Sequence, residues 1–166
     1  MTSRSGVKKS ANSNMYEVSL TEAWDRYGAR LDGAFECPAL VVSSTILPDQ
    51  AKNALSSSIE ALGYGKAACT FFVIGAIAEP AAADSLTDAD LFSAIEGLDP
   101  LVLIIADEEA ASACSRAYRT DVVVPDKGRL LGRDVVGFKN FAAMLETPQD
   151  KQRAWGLLKR LPRLES

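Results

Sequence analysis

Apolar residues recur along this chain in two modes, a helical spacing of three and four and short continuous runs, and the order of these modes predicts the elements. After Ser19, a candidate cap, Leu20, Ala23, Trp24, Tyr27 and Leu31 fall at helical spacing and predict an amphipathic helix over 19–31. Ala39-Leu40-Val41-Val42 reads as a buried strand, and Pro48-Asp49 opens a helix whose inward stripe is Ala51, Ala54, Leu55, Ile59 and Leu62. Gly63 and Gly65, able to take positive φ, end it. Residues 70–74 form a second strand, and 75–85, alanine-rich with Pro80, is the most loop-like interior stretch. Thr87 and Asp90 make an acidic variant of a capping box ahead of Leu91, Phe92 and Ile95. Residues 101–106 are the most hydrophobic run, expected as a central parallel strand covered on both faces. Asp107 caps the next helix, with Glu108 and Glu109 favourable to its dipole, and that helix reaches about Tyr118. Val122-Val123-Val124, stopped by Pro125, is expected as a fourth strand, and 126–138 as a glycine-punctuated basic loop. Thr147 and Pro148 open a last helix that ends before Pro162 and buries Trp155, Leu158 and Leu161 along one edge.

Strands alternating with helices predict a three-layer α/β/α fold around a central parallel sheet of roughly four strands. Ligands in such sheets sit at the carboxyl ends of the strands, so segments 43–50, 75–80, 107–109 and 125–140 are the ones to examine. With 166 residues the chain has room for one domain, expected over 15–166 behind a flexible tail of residues 1–14. That tail has two adjacent lysines but no apolar core, so it is not read as a signal peptide. With no run near the roughly 18 apolar residues a membrane span needs, a soluble cytoplasmic protein without membrane contact is expected.

Composition narrows the chemistry. There is no histidine, so Ser-His and Cys-His mechanisms within this chain are excluded, as is the commonest metal ligand. Cys37, Cys69 and Cys114 are widely spaced and mostly flanked by apolar residues, the pattern of buried thiols; no metal and no cofactor is expected. A glycine-rich phosphate loop is missing too, since Gly63-Tyr-Gly65 precedes a strand and 128–132 lacks the Lys-Ser/Thr ending. The net charge of −4 conceals a split: residues 1–115 carry seven basic against sixteen acidic groups, and 116–166 eleven against six. Such a basic third suits DNA phosphate or an acidic protein surface, and a solvated helix face with a loop accounts for it equally well.

Three stretches in order resemble the uracil-DNA glycosylases that carry an iron-sulphur cluster. They are the run from Ala143 to Lys159 with Pro148, Lys151 and Trp155; the helix, Pro100 and strand from Asp90 to Ala106; and Leu55 to Val73 with Ala61-Leu62-Gly63-Tyr64. The resemblance spans most of 39–161 and implies that superfamily's α/β layout. Where it implies chemistry, this chain departs from it. Ser44 stands where the family's first strand ends in a water-placing carboxylate, and serine without a base beside it activates water poorly. Asn140-Phe141-Ala142 stands at the family's His-Pro-Ser motif; an asparagine donates a hydrogen bond but no positive charge. Val73 falls where the uracil-reading asparagine belongs, and the three cysteines do not reproduce the cluster spacing. Asp107, Glu108 and Glu109 at the ligand edge would repel phosphate. The layout and the closing helix are also similar to the psi subunit of the bacterial DNA polymerase III clamp loader, a glycosylase-like fold without glycosylase chemistry.

The expected function is therefore a noncatalytic module for nucleic-acid or protein interaction in DNA replication or repair, acting through its tail or through Arg129, Arg133 and Lys139, expected to cluster near the ligand edge. The alternative is a diverged glycosylase or hydrolase in which Asp49, Asn140 and Asp107 have taken over a pocket with Ser44. Asp49 alone fits either a reacting carboxylate or a helix-dipole acid.

Overall fold

A computed structural model describes residues 11–75 and 86–164 of the chain. The chain runs through helix α1 (Ala11–Tyr27), strands β1 (Leu31–Gly33) and β2 (Ala39–Ser43), α2 (Asp49–Ala61), β3 (Cys69–Val73), α3 (Asp88–Leu98) and β4 (Val102–Ile105). It continues through α4 (Glu108–Tyr118), β5 (Asp126–Leu130), β6 (Arg133–Gly137), a 3-10 turn (Ala142–Glu146) and α5 (Pro148–Leu158). One six-stranded sheet has the order β1-β3-β2-β4-β6-β5; β3, β2, β4 and β6 are mutually parallel and the two edge strands antiparallel.

Alternation along the buried strands divides the core. Leu40, Val42, Leu103 and Ile105 face α1, α3 and α4, whereas Val41, Phe71, Ile104 and Val136 face α2 and α5. Helices thus cover both faces, as the continuous apolar strands require. The helix starts follow their caps. Thr87 and Asp90 exchange both bonds of the capping box, and the side chains of Asp107 and Thr147 each accept a hydrogen bond from the amide three residues on.

Three expectations are corrected. The sheet is mixed, with six strands, and its fourth parallel strand is β6, not 122–124. The Val122–Val124 run lies beside the sheet: Val123 is 64% exposed, the Val122 amide bonds the Ser115 hydroxyl, and Val124 packs on Gly137. The expected basic loop over 126–138 is instead the β5–β6 hairpin, turned by Leu131 and Gly132, both at positive φ as tight hairpin turns demand. The first helix begins at Ala11, with Ser19 inside it, and ends at Tyr27, so Leu31 belongs to β1. Residues 76–85 of the loop expected over 75–85 and residues 1–10 of the expected tail lie outside the described residues. No helix among the described residues is long and apolar enough to cross a membrane.

Candidate functional site

Strand order places a crevice. From β2 the chain passes by α2 to β3 on one side, and from β4 by α4 to β6 on the other, with the two helices on opposite faces. Such a switch point, here between the carboxyl ends of β2 and β4, is where open α/β sheets bind ligands. Ser44 follows β2 and Asp107 follows β4.

Asp107 occupies that position completely. Its Oδ1 accepts from the Ala110 amide at 2.9 Å, capping α4, and its Oδ2 accepts from the Ser44 amide at 2.9 Å, closing the gap to the β2 exit. Its backbone bridges Asn140, the Glu108 amide donates to the Lys139 carbonyl and the Phe141 amide to the Ala106 carbonyl. Gly75, at the exit of β3, is pressed against the Ser44 carbonyl so closely that any side chain there would collide with it. The Ser44 turn and the Asn140 loop therefore meet at one rim, as the predicted sheet requires.

Within this rim the side chains support backbone. Asn140 turns its Oδ1 to the Ala143 amide at 3.1 Å and starts the 3-10 turn, and the Ser43 hydroxyl donates to the Thr45 carbonyl. Asp49 is exposed in the first turn of α2. Among the described residues no lysine or carboxylate is hydrogen-bonded to the Ser44 hydroxyl, so none of them raises its nucleophilicity. Glu108 and Glu109 stand exposed beside it and set a negative field against phosphate. Among the described residues no three His, Cys, Asp or Glu side chains converge to hold a metal ion.

The three basic candidates do not cluster. Lys139 is at this rim, but Arg129 and Arg133 flank the hairpin turn at the opposite, amino end of the sheet, where Asp134 pairs with Val102 of β4. Arg133 is a core tie: its guanidinium reaches Glu96 at 2.6 Å, Asp99 at 2.9 Å and the Pro100 carbonyl at 3.1 Å. Burial works against its charge, yet the hydrogen bond and charge of Glu96, with Tyr118 and Asp99 adding to them, together outweigh this and raise its pKa. The same carboxylate accepts from the Tyr118 hydroxyl, and burial together with that bond pushes the phenol well above its ordinary range. Arg129 is tied to the Gly132 carbonyl and faces Asp134.

Two contributors left no trace in the sequence pattern. Arg30, buried beneath the rim, donates to the carbonyls of Val73 and Gly75 at 3.1 and 2.8 Å, holding the β3 exit. The second oxygen of Asp107 is the other; the capping signal announced only the first. Burial raises all three thiols from 9.0 to about 12, which leaves them protonated and unreactive at neutral pH. The chain matches no family model, and no curated protein matches it.

Proposed function

We propose that this chain is a noncatalytic protein-interaction module, built on a scaffold resembling the uracil-DNA glycosylases and serving DNA replication or repair. The observation that carries this reading is the double engagement of Asp107, whose two carboxylate oxygens are both spent on main-chain amides at the switch point where a catalytic group would act. A carboxylate so held is an acceptor for the fold and is not aimed at a water or a base. A protein partner is favoured over nucleic acid because six of the eleven basic residues in 116–166 are already ion-paired: Arg116, Lys127, Arg129, Arg133, Arg153 and Arg160. Paired cations release few counterions on meeting phosphate, which removes most of the usual electrostatic gain.

Incubation with oligonucleotides carrying uracil, hypoxanthine or a mismatch, followed by alkaline cleavage, tests the first half. No strand break is expected, and release of any base overturns the reading in favour of a diverged glycosylase. Titration of labelled single-stranded and duplex DNA across a salt series tests the second half. A flat curve at low salt is expected, whereas a steep salt-dependent affinity makes nucleic acid the partner.

A further inference from the structure

A groove of about 300 Å³ runs between α2 and α5, on the sheet face away from α1. Its α2 wall is low because Gln50, Ala54 and Ser58, at successive helical turns, present small or flexible side chains; the Ser58 hydroxyl is turned back to the Ala54 carbonyl. Phe141 and Leu158 form a buried floor. Leu145 and Trp155, both half-buried, form the opposite wall, and Leu145 is carried by the 3-10 turn that Asn140 starts. This apolar surface is continuous with the core yet left uncovered.

Charge says what covers it. Lys151, Trp155 and Lys159 sit at i, i+4 and i+8 and form one stripe along α5. Both lysines are exposed, and among the described residues neither has an ion-pair partner; the Lys159 ammonium lies 5.9 Å from the Trp155 ring centre. Asp150, the one acid on α5, is paired with Arg153 at 3.1 Å, so the α5 stripe stays positive. An apolar trough with an aromatic wall, flanked at each end by an unpaired cation, complements a segment with apolar anchors and acidic residues around them.

We infer that this groove docks a short acidic, amphipathic segment of a protein partner, its apolar side chains seated between Leu145 and Trp155 and its carboxylates on Lys151 and Lys159; the inference rests on the interaction-module reading above. Single-stranded nucleic acid also suits lysines around a tryptophan, but the Phe141 ring is buried in the floor and Trp155 is half-buried, giving no run of open rings for stacking.

The test is selection of a phage-displayed library of random short peptides on the full chain, with K151E/K159E as parallel bait. Both lysines are exposed, so the reversal leaves the fold intact, checked by circular dichroism. Enriched sequences are expected to combine Asp or Glu with Leu, Phe or Trp. Synthesised and labelled, they should bind the wild-type chain and lose about tenfold or more in affinity to the charge-reversed protein or on raising salt. The groove assignment is overturned by no enrichment, by neutral or basic winners, or by binders indifferent to the reversal. It is equally overturned by a dimer in sedimentation that K151E/K159E dissolves, which makes a second copy the occupant, or by oligothymidine binding with the same lysine dependence. Failure of peptides with no base release from DNA removes only the groove; base release removes the module itself.

Discussion

The main-chain amide of Ser44 and the Oδ2 of Asp107, 63 residues apart in the chain, are joined by a 2.9 Å hydrogen bond across the switch point of the sheet. A residue read from sequence as a helix cap and, in the alternative reading, as a pocket carboxylate caps α4 through one oxygen and fixes how β2 leaves the sheet through the other. One carboxylate does both, and this turns a place that binds ligands in related architectures into a seam.

Replacing Asp107 separates structural from catalytic importance. Asp107→Ala removes a cap and a second charge-assisted bond at a half-buried site, and should cost about 2–4 kcal/mol in urea denaturation. Asp107→Asn keeps one acceptor for Ala110 and presents N–H to the Ser44 amide, so an intermediate loss is expected. Ser44→Ala should change stability by less than about 0.5 kcal/mol, because only the amide of that residue is used. A large Ser44→Ala effect with a silent Asp107→Ala would contradict this assignment.

Much of the architecture was legible because it follows from periodicity and caps. The runs at Leu40, Phe72 and Leu103 are buried on both sides, and Thr87, Asp107 and Thr147 cap where their spacing says. The hairpin was not, and the reason is physical: β5 is an edge strand of sequence Asp-Lys-Gly-Arg-Leu with only Leu130 fully buried, so it carries no hydrophobic alternation. Val122–Val124 has the β-branched composition of a strand, but Pro125 interrupts it and β6 takes the place beside β4. At the site, the joining of Ser44 and Asn140 was legible from topology. The separation of Arg133 from Lys139 was not, because the unforeseen strand β6 runs between them and carries residues six apart to opposite ends of the sheet.

Leu131 offers a gain in stability. It holds φ at 48° in the two-residue turn with its side chain 68% exposed, so it bears the backbone cost of a left-handed residue without burial in return. Leu131→Asn, with Gly132 following, creates the preferred pair for such a turn and should stabilise the chain by roughly 0.5–1 kcal/mol, read as a raised Tm. An unchanged or lowered Tm would show that Leu131 packs where its exposure says it does not.

Gly63 marks the anchorage of the C-terminal segment. Its φ is +96° and the Leu164 carbonyl fills the space a Cβ would occupy, while the Leu164 amide bonds the Leu62 carbonyl and the Tyr64 hydroxyl donates to Pro162. Gly63→Ala should cost about 1–3 kcal/mol through backbone strain and collision. It should also speed carboxypeptidase trimming. Ending the chain at Pro162 removes the collision but leaves the strain, so it should recover part of the loss; no recovery would place the whole cost in φ.

Arg133 and Glu96 should behave as a coupled pair. Arg133→Met leaves a part-buried Glu96 and an exposed Asp99 without the buried cation between them, and should cost about 1–3 kcal/mol. Glu96→Gln removes the carboxylate that also receives the Tyr118 hydroxyl. Made together, the two changes should cost less than the sum of the singles by about 1 kcal/mol or more. Strict additivity in a double-mutant cycle would show that the two groups stabilise the fold independently.

Alkaline stability follows from the thiols. Burial raises Cys37, Cys69 and Cys114 from 9.0 to about 12, and burial with the Glu96 bond raises Tyr118. Raised folded-state values mean that the unfolded chain releases these protons first, so their contribution is full below about pH 9 and is lost as pH climbs toward about 12. Each thiol adds a slope of about 1.4 kcal/mol per pH unit across that window. Urea denaturation under reducing conditions should therefore give a plateau up to about pH 9 and a steep decline above it. Cys114→Ala, which removes one titrating group from a fully buried position, should make that decline shallower. A slope unchanged in Cys114→Ala would mean that other groups drive the alkaline loss.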